Sequence, residues 1–250
     1  MIEVKNISKA FGDKHIIKDF SFTFQQSKTN LIIGESGSGK TVTMKCMVGL
    51  LKADEGEILY DGRSFSKMDF ASKKGIRKEI GMLFQGGALF DSLTVEENVV
   101  FPLSMFTDMS KEEKRDRANV CLSRVNLLNT NHLYPAELSG GMKKRVGIAR
   151  AIAAKPKYLF CDEPNSGLDP KTSIVIDNLI KEITEEFKIT TIVITHDMNS
   201  VIEIGDHIAF IHKGQKWWEG NSQEILHTNN QEVLDFVYAS SFMKQLRTTV

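Results

Sequence analysis

Apolar and polar positions alternate first with the period of strands. Phe20, Phe22 and Phe24 are separated by Ser21 and Thr23, the two-residue period of an antiparallel strand with one buried face. Ile2, Val4 and Ile7 predict a strand at the edge of a sheet. Leu31, Ile32 and Ile33 form a short apolar run that meets glycine, the mark of a buried strand. The period then lengthens: Met44, Met47, Val48 and Leu51 share one face of a helix predicted over 41–51. Residues 56–62 read as a strand ending in the Asp61-Gly62 turn.

From about 92 to 138 the pattern is helical. Ser110 and Glu113 form a capping box, each side chain satisfying free amides of a first turn. Ala118, Cys121, Leu122, Val125 and Leu128 follow at helical spacing. A further helix is predicted from Ser139 to Ala154, and a buried strand over 157–161. Asp169 and Pro170 open the next helix as N-cap and first helical residue. Another buried strand follows over 189–195. Strands alternating with helices predict an α/β fold with a mostly parallel sheet, here interrupted by one helical insertion. No internal repeat or linker-like run is evident.

Composition narrows the class. Lys+Arg is 32 and Asp+Glu is 32, a formal net charge of zero. A nucleic-acid binder usually carries a basic surplus, so the balance argues against one. A content of 41% hydrophobic and 26% charged residues excludes disordered, collagen-like and low-complexity chains. Cys46, Cys121 and Cys161 are odd in number, far apart and outside any metal spacing, which predicts a reduced, cytosolic setting without disulfides or zinc. The N-terminus lacks the pattern of a signal peptide, and no window approaches the roughly 20 apolar residues that cross a bilayer. Between 63 and 78 stand Arg63, Lys67, Lys73, Lys74, Arg77 and Lys78 against the single acid Asp69. That stretch reads as a solvated surface, or as a contact for anionic lipid headgroups or a partner.

The chemistry begins at Gly34-Glu35-Ser36-Gly37-Ser38-Gly39-Lys40-Thr41, which fits GxxxxGK[ST] at every fixed position. A triphosphate needs many donors at close range. Glycines allow the approach and the unusual backbone angles. Successive amides and the start of a helix then make an anion site. Lys40 suits the β- and γ-phosphates, and the Thr41 hydroxyl suits Mg²⁺. Asp162 and Glu163 end the apolar strand. The first reads as a carboxylate holding Mg²⁺ through water, the second as a general base for an attacking water. Ser139-Gly140-Gly141 reads as a plain helix start or as a second anion site.

Together these pieces resemble the ATP-binding subunit of ABC transporters. Leu138-Ser139-Gly140-Gly141-Met142 is similar to the family signature, Gln85 to the Q-loop glutamine, 166–169 to the D-loop and His196 to the switch histidine. Phe11 stands where the family stacks a ring on adenine. The resemblance implies an ABC-type P-loop NTPase, with a RecA-like parallel sheet, an antiparallel β subdomain and an inserted helical subdomain. It implies a nucleotide-binding core over 1–90 and 155–228, a helical subdomain over 91–154 and a tail over 229–250. It further implies ATP and Mg²⁺ as cofactors and a second copy of the chain, with each ATP held between the phosphate loop of one copy and Ser139-Gly140-Gly141 of the other. Thr41, Gln85 and Asp162 would serve the metal. Glu163 would activate water, His196 would contact the γ-phosphate, and Asp169 would communicate across the dimer.

The block 84–95, with Glu97-Asn98-Val99, Phe101-Pro102-Leu103 and Met142, resembles the Mla/Mce-type lipid-transport ATPases. That implies phospholipid transport between membranes at the cytoplasmic face of the inner membrane. The partners would be an integral membrane permease, with Mce-domain and small regulatory subunits, and no nucleic acid. Importers of small solutes share the general motifs and form the alternative. A non-transport ABC module on DNA or ribosomes is disfavoured by the single cassette and neutral charge. Two departures stand out: Asn165 in the D-loop region, and phenylalanine rather than tyrosine at position 11. In the tail, Val233, Leu234, Phe236, Val237, Phe242 and Leu246 predict a helix docked on its own chain, or one packing across the dimer or onto a regulatory subunit.

Overall fold

A computed structural model describes residues 1–239. In chain order its elements begin with β1 (Ile2–Phe11), β2 (Lys14–Phe24), β3 (Thr29–Ile33), α1 (Lys40–Met47), β4 (Glu55–Tyr60) and β5 (Arg63–Ser64). Then come α2 (Phe70–Lys78), β6 (Ile80–Leu83), α3 (Val95–Phe106), α4 (Lys111–Arg124) and α5 (Gly140–Ile152). The last are β7 (Tyr158–Asp162), α6 (Pro170–Phe187), β8 (Thr190–Thr195), α7 (Met198–Ile204), β9 (His207–His212), β10 (Gln215–Gly220) and α8 (Gln231–Val237). Contacts divide the chain into two compact units: Met1–Lys67 with Ile194 onward, and Met68–Val193. The boundary falls within β8.

In the first unit, β2-β1-β4-β5 form an antiparallel sheet. The edge expected at β1 is therefore corrected: β1 pairs with β2 on one side and β4 on the other. Alternation reports which face of a strand is buried and carries no information about lateral neighbours. Ile2, Val4 and Ile7 do line the buried face. The same unit holds β10-β9-β3, with β3 parallel to β9 and Ile32 beside Ala209. The β9–β10 hairpin closes through Lys213 (φ 49°) and Gly214 (φ 84°), the positive-φ pair that matches strand twist. Helix α8 docks here through buried Val233 and Val237, with the Phe236 ring 5.3 Å from that of Phe210. Phe242 and Leu246 lie outside the described residues.

In the second unit, β8-β7-β6 lie side by side and β6 pairs parallel with β7. Gly81 lets α5 approach that strand, since a Cβ there would stand 2.2 Å from the Ala151 carbonyl oxygen. Helices α3, α4 and α5 pack on one another. Thr94 and Glu97 give α3 a capping box like that of Ser110 and Glu113 on α4. This contact-defined unit takes in β6 and β7 as well as residues 91–154, because α5 lies against β6. Among the described residues no helix is long and apolar enough to cross a membrane.

Candidate nucleotide-binding site

In the first unit, the apolar strand β3 delivers the chain into 34–39. Gly34 has φ 145°, and a Cβ on it would stand 2.2 Å from the Ile211 carbonyl oxygen. Gly37 (φ 79°) and Gly39 (φ 109°) also lie in the left-handed region, where a side chain is strained. The loop tightens through Ser38 N–H donating to the Glu35 carbonyl at 3.2 Å. Glu35, Ser36 and Gly37 are exposed at its rim, and Ser38, Gly39 and Lys40 are buried. Lys40 Nζ donates to the carbonyls of Gly34 (2.8 Å) and Glu35 (2.9 Å), so the ammonium is held over the loop. Helix α1 starts at Gly39 with no side-chain cap and no acid in its first turn, leaving its amides and dipole for an anion. Ser38 Oγ is buried without a hydrogen-bond partner among the described residues. The cradle, the uncapped helix, the buried lysine and the orphaned hydroxyl fit a phosphate chain, with half-buried Thr41 the second residue of the helix. Phe11 ends β1 and is 49% exposed, with Lys9 Nζ 5.4 Å from its ring centroid. His196 is exposed and follows β8 directly. Next to it, Asp197 caps α7 by accepting from Asn199 N–H at 2.9 Å.

In the second unit, α5 gathers several of the expected residues. Its N-cap is Ser139, whose hydroxyl accepts from Met142 N–H at 3.3 Å, with Ser139 and Gly140 exposed. Gly141 is buried, and a Cβ there would stand 2.6 Å from Thr172 Cγ2. Thr172 belongs to α6, which Asp169 caps by accepting the Thr172 amide at 3.0 Å. The Thr172 hydroxyl and amide hold the Asp169 carboxyl below the usual carboxylate range. The structure thus brings Ser139-Gly140-Gly141 and the Asp169 turn together. Asp162 ends β7 and is 6% exposed; Glu163 follows, half-buried. Glu163 has φ 49°, an uncommon conformation for a residue with a side chain.

Two residues on α5 were not singled out from sequence. Lys144, 3% exposed, donates from Nζ to the Glu163 carbonyl at 3.1 Å. Burial lowers its pKa, against the pull of Cys161, Asp162 and Glu163. Arg150, 9% exposed, donates to the carbonyls of Ala88 and Gly87, each at 2.8 Å. Those carbonyls belong to the turn after Gln85, where Gly86, Gly87 and Ala88 all have positive φ. Gln85 itself is exposed just past β6. The signal for both cations was available: a lysine and an arginine at helical positions otherwise occupied by Val146, Gly147 and Ile148. Asn165 also finds its place, donating to the buried Asp177 carboxylate of α6 at 2.8 Å.

The family described as ABC transporter matches residues 17–166. The chain is 36% identical over 241 residues to the intermembrane phospholipid transport system ATP-binding protein MlaF of Haemophilus influenzae, covering 96% of this chain and 91% of that protein. It is 38% identical over 233 residues to the methionine import ATP-binding protein MetN of Rhizobium johnstonii, covering 93% of this chain and 64% of that one. Among solved structures, the dimeric post-hydrolysis state of the ATP-binding cassette MJ0796 bound to ADP and Pi matches with a TM-score of 0.81 at 34% identity, over 89% of this chain and 99% of that one. With the phosphate loop, the capped signature helix and the acidic strand end in place, the chain belongs to the ABC transporter family, as an ATP-binding subunit that hydrolyses ATP with Mg²⁺.

Proposed function

We propose that the chain energises phospholipid transport between membranes, as the ATPase subunit of an Mla/Mce-type system. The observation that carries this reading is the match to MlaF along nearly the whole of both chains, 96% and 91%. The 38% identity to a methionine import protein supports a second reading, the ATPase of a small-solute importer. The chain spans 64% of that relative's length. In the lipid reading the partners are a second copy of the chain, an integral membrane permease, and Mce-domain and small regulatory subunits. The place of action is then the cytoplasmic face of the inner membrane.

The site residues take the following roles in this reading. Lys40 and the amides of 34–41 hold the phosphates, and Phe11 stacks on adenine. Thr41, Gln85 and Asp162 serve Mg²⁺, which supplies charge neutralisation at the phosphoryl group when bound. Glu163 accepts the proton of the attacking water. His196 donates to the γ-phosphate. Ser139, Gly140 and Gly141 close on the nucleotide of the second copy, and Asp169 signals between copies. Residues 91–154 act as the helical subdomain. Lys144 is a positioning residue: it fixes the Glu163 main chain in its left-handed conformation and thereby aims the carboxylate.

The test is purification of the tagged chain from gently solubilised native membranes, with identification of what accompanies it. A permease with an Mce-domain protein and bound phospholipid supports the lipid reading. A permease with a solute-binding protein overturns it in favour of the importer.

A further inference from the structure

Helix α2 has no part in this chemistry. Phe70, Lys73, Lys74, Arg77 and Lys78 follow the spacing i, i+3, i+4, i+7, i+8 and so share one face. Phe70 is 78% exposed, more than any other large apolar side chain among the described residues. Lys74 and Lys78 are exposed beside it, and Lys73 and Arg77 half-buried. The Arg77 guanidinium lies 5.9 Å from the Phe70 ring centroid. Ile76, 1% exposed, seats the helix on its own unit. Asp69 caps the helix by accepting Ser72 N–H at 2.8 Å, and Glu79 faces Lys157 Nζ at 3.3 Å.

Four cations around an exposed phenylalanine complement an anionic bilayer. Headgroup phosphates take the charges, and the ring enters the apolar boundary beneath them. A nucleic-acid duplex would meet the charges and leave the ring in water, and the chain has no basic surplus overall. Membership of a transporter family puts a lipid surface within reach. We propose that α2 is a direct docking face for anionic phospholipid headgroups, whatever molecule the transporter moves.

The experiment floats the purified full chain with vesicles of phosphatidylcholine alone or of phosphatidylcholine mixed with phosphatidylglycerol. The chain is expected to float with the mixed vesicles only, and to be released by high salt as charges are screened. Each cation near such a surface contributes about 1 kcal/mol, so Lys74→Ser with Lys78→Ser weakens binding roughly thirty-fold. Phe70→Ser weakens it further at constant salt. All three substitutions keep the ATPase rate and melting temperature of the parent, which separates loss of docking from loss of fold. No flotation, equal flotation with phosphatidylcholine alone, or full binding by the variants overturns the proposal. So does a duplex oligonucleotide that binds through the same residues and displaces the vesicles.

Discussion

At the scale of single residues, the backbone of Glu163 is the most informative feature. A left-handed φ on a residue with a side chain costs about 1–3 kcal/mol and persists only where its surroundings hold it. Lys144 supplies one such hold through the Glu163 carbonyl. Glu163→Gln keeps the shape and removes the proposed proton acceptor. ATP should bind normally while turnover falls by at least a hundredfold, the range set by general-base losses, as measured by single-turnover hydrolysis. Lys144→Met keeps the volume and removes the donor. It should lower kcat about tenfold with little change in KM for ATP, and Lys144→Arg should restore part of the rate. Equal changes in kcat and KM, or no change at all, would refute the positioning role. Failure of the Glu163→Gln result would instead refute the base assignment.

Among the elements, α5 does the most to organise the second unit. One helix presents Ser139 at its tip, grips the Glu163 carbonyl from Lys144, and grips the turn after Gln85 from Arg150. Replacing the arginine strands the buried Gly87 carbonyl and the partly buried Ala88 carbonyl, and an unsatisfied buried group costs about 1–3 kcal/mol. Arg150→Leu should therefore speed amide hydrogen exchange selectively over residues 85–90 and lower the melting temperature. A change spread evenly over the unit would count against a local clamp. Gly81 marks where α5 meets β6. Gly81→Ala drives a methyl against the Ala151 carbonyl, and overpacking of this kind costs about 1–3 kcal/mol by denaturant melt.

For the whole molecule, the question is what α8 contributes. Its apolar side chains are already spent on the first unit, where Val233 and Val237 are buried and Phe236 meets Phe210. Burying a valine or phenylalanine is worth about 1.5–3 kcal/mol. Truncation before Gln231 should therefore destabilise the chain by several kcal/mol, read by chemical denaturation. Dimerisation with ATP, followed by light scattering, should persist. If the truncated chain were as stable as the parent but unable to dimerise, α8 would serve the partner copy instead.

The amino-acid sequence by itself determined the alternation of strands and helices, the phosphate loop, the acidic strand end and the signature helix. All of these depend on near neighbours: a period of two or 3.6, a cap at fixed spacing, glycines placed for one loop. Even Asp169 as the N-cap of α6 followed from two adjacent residues. Tertiary structure alone decided what depends on residues distant in the chain. It put β1 inside its sheet, because a strand's side partners leave no mark on its own alternation. It gave Asn165 the buried partner Asp177, and Lys144 and Arg150 backbone carbonyls 19 and 62 or 63 residues away. It also bent Glu163 into a conformation that no local preference would choose, since only packing around a residue can hold it in strain.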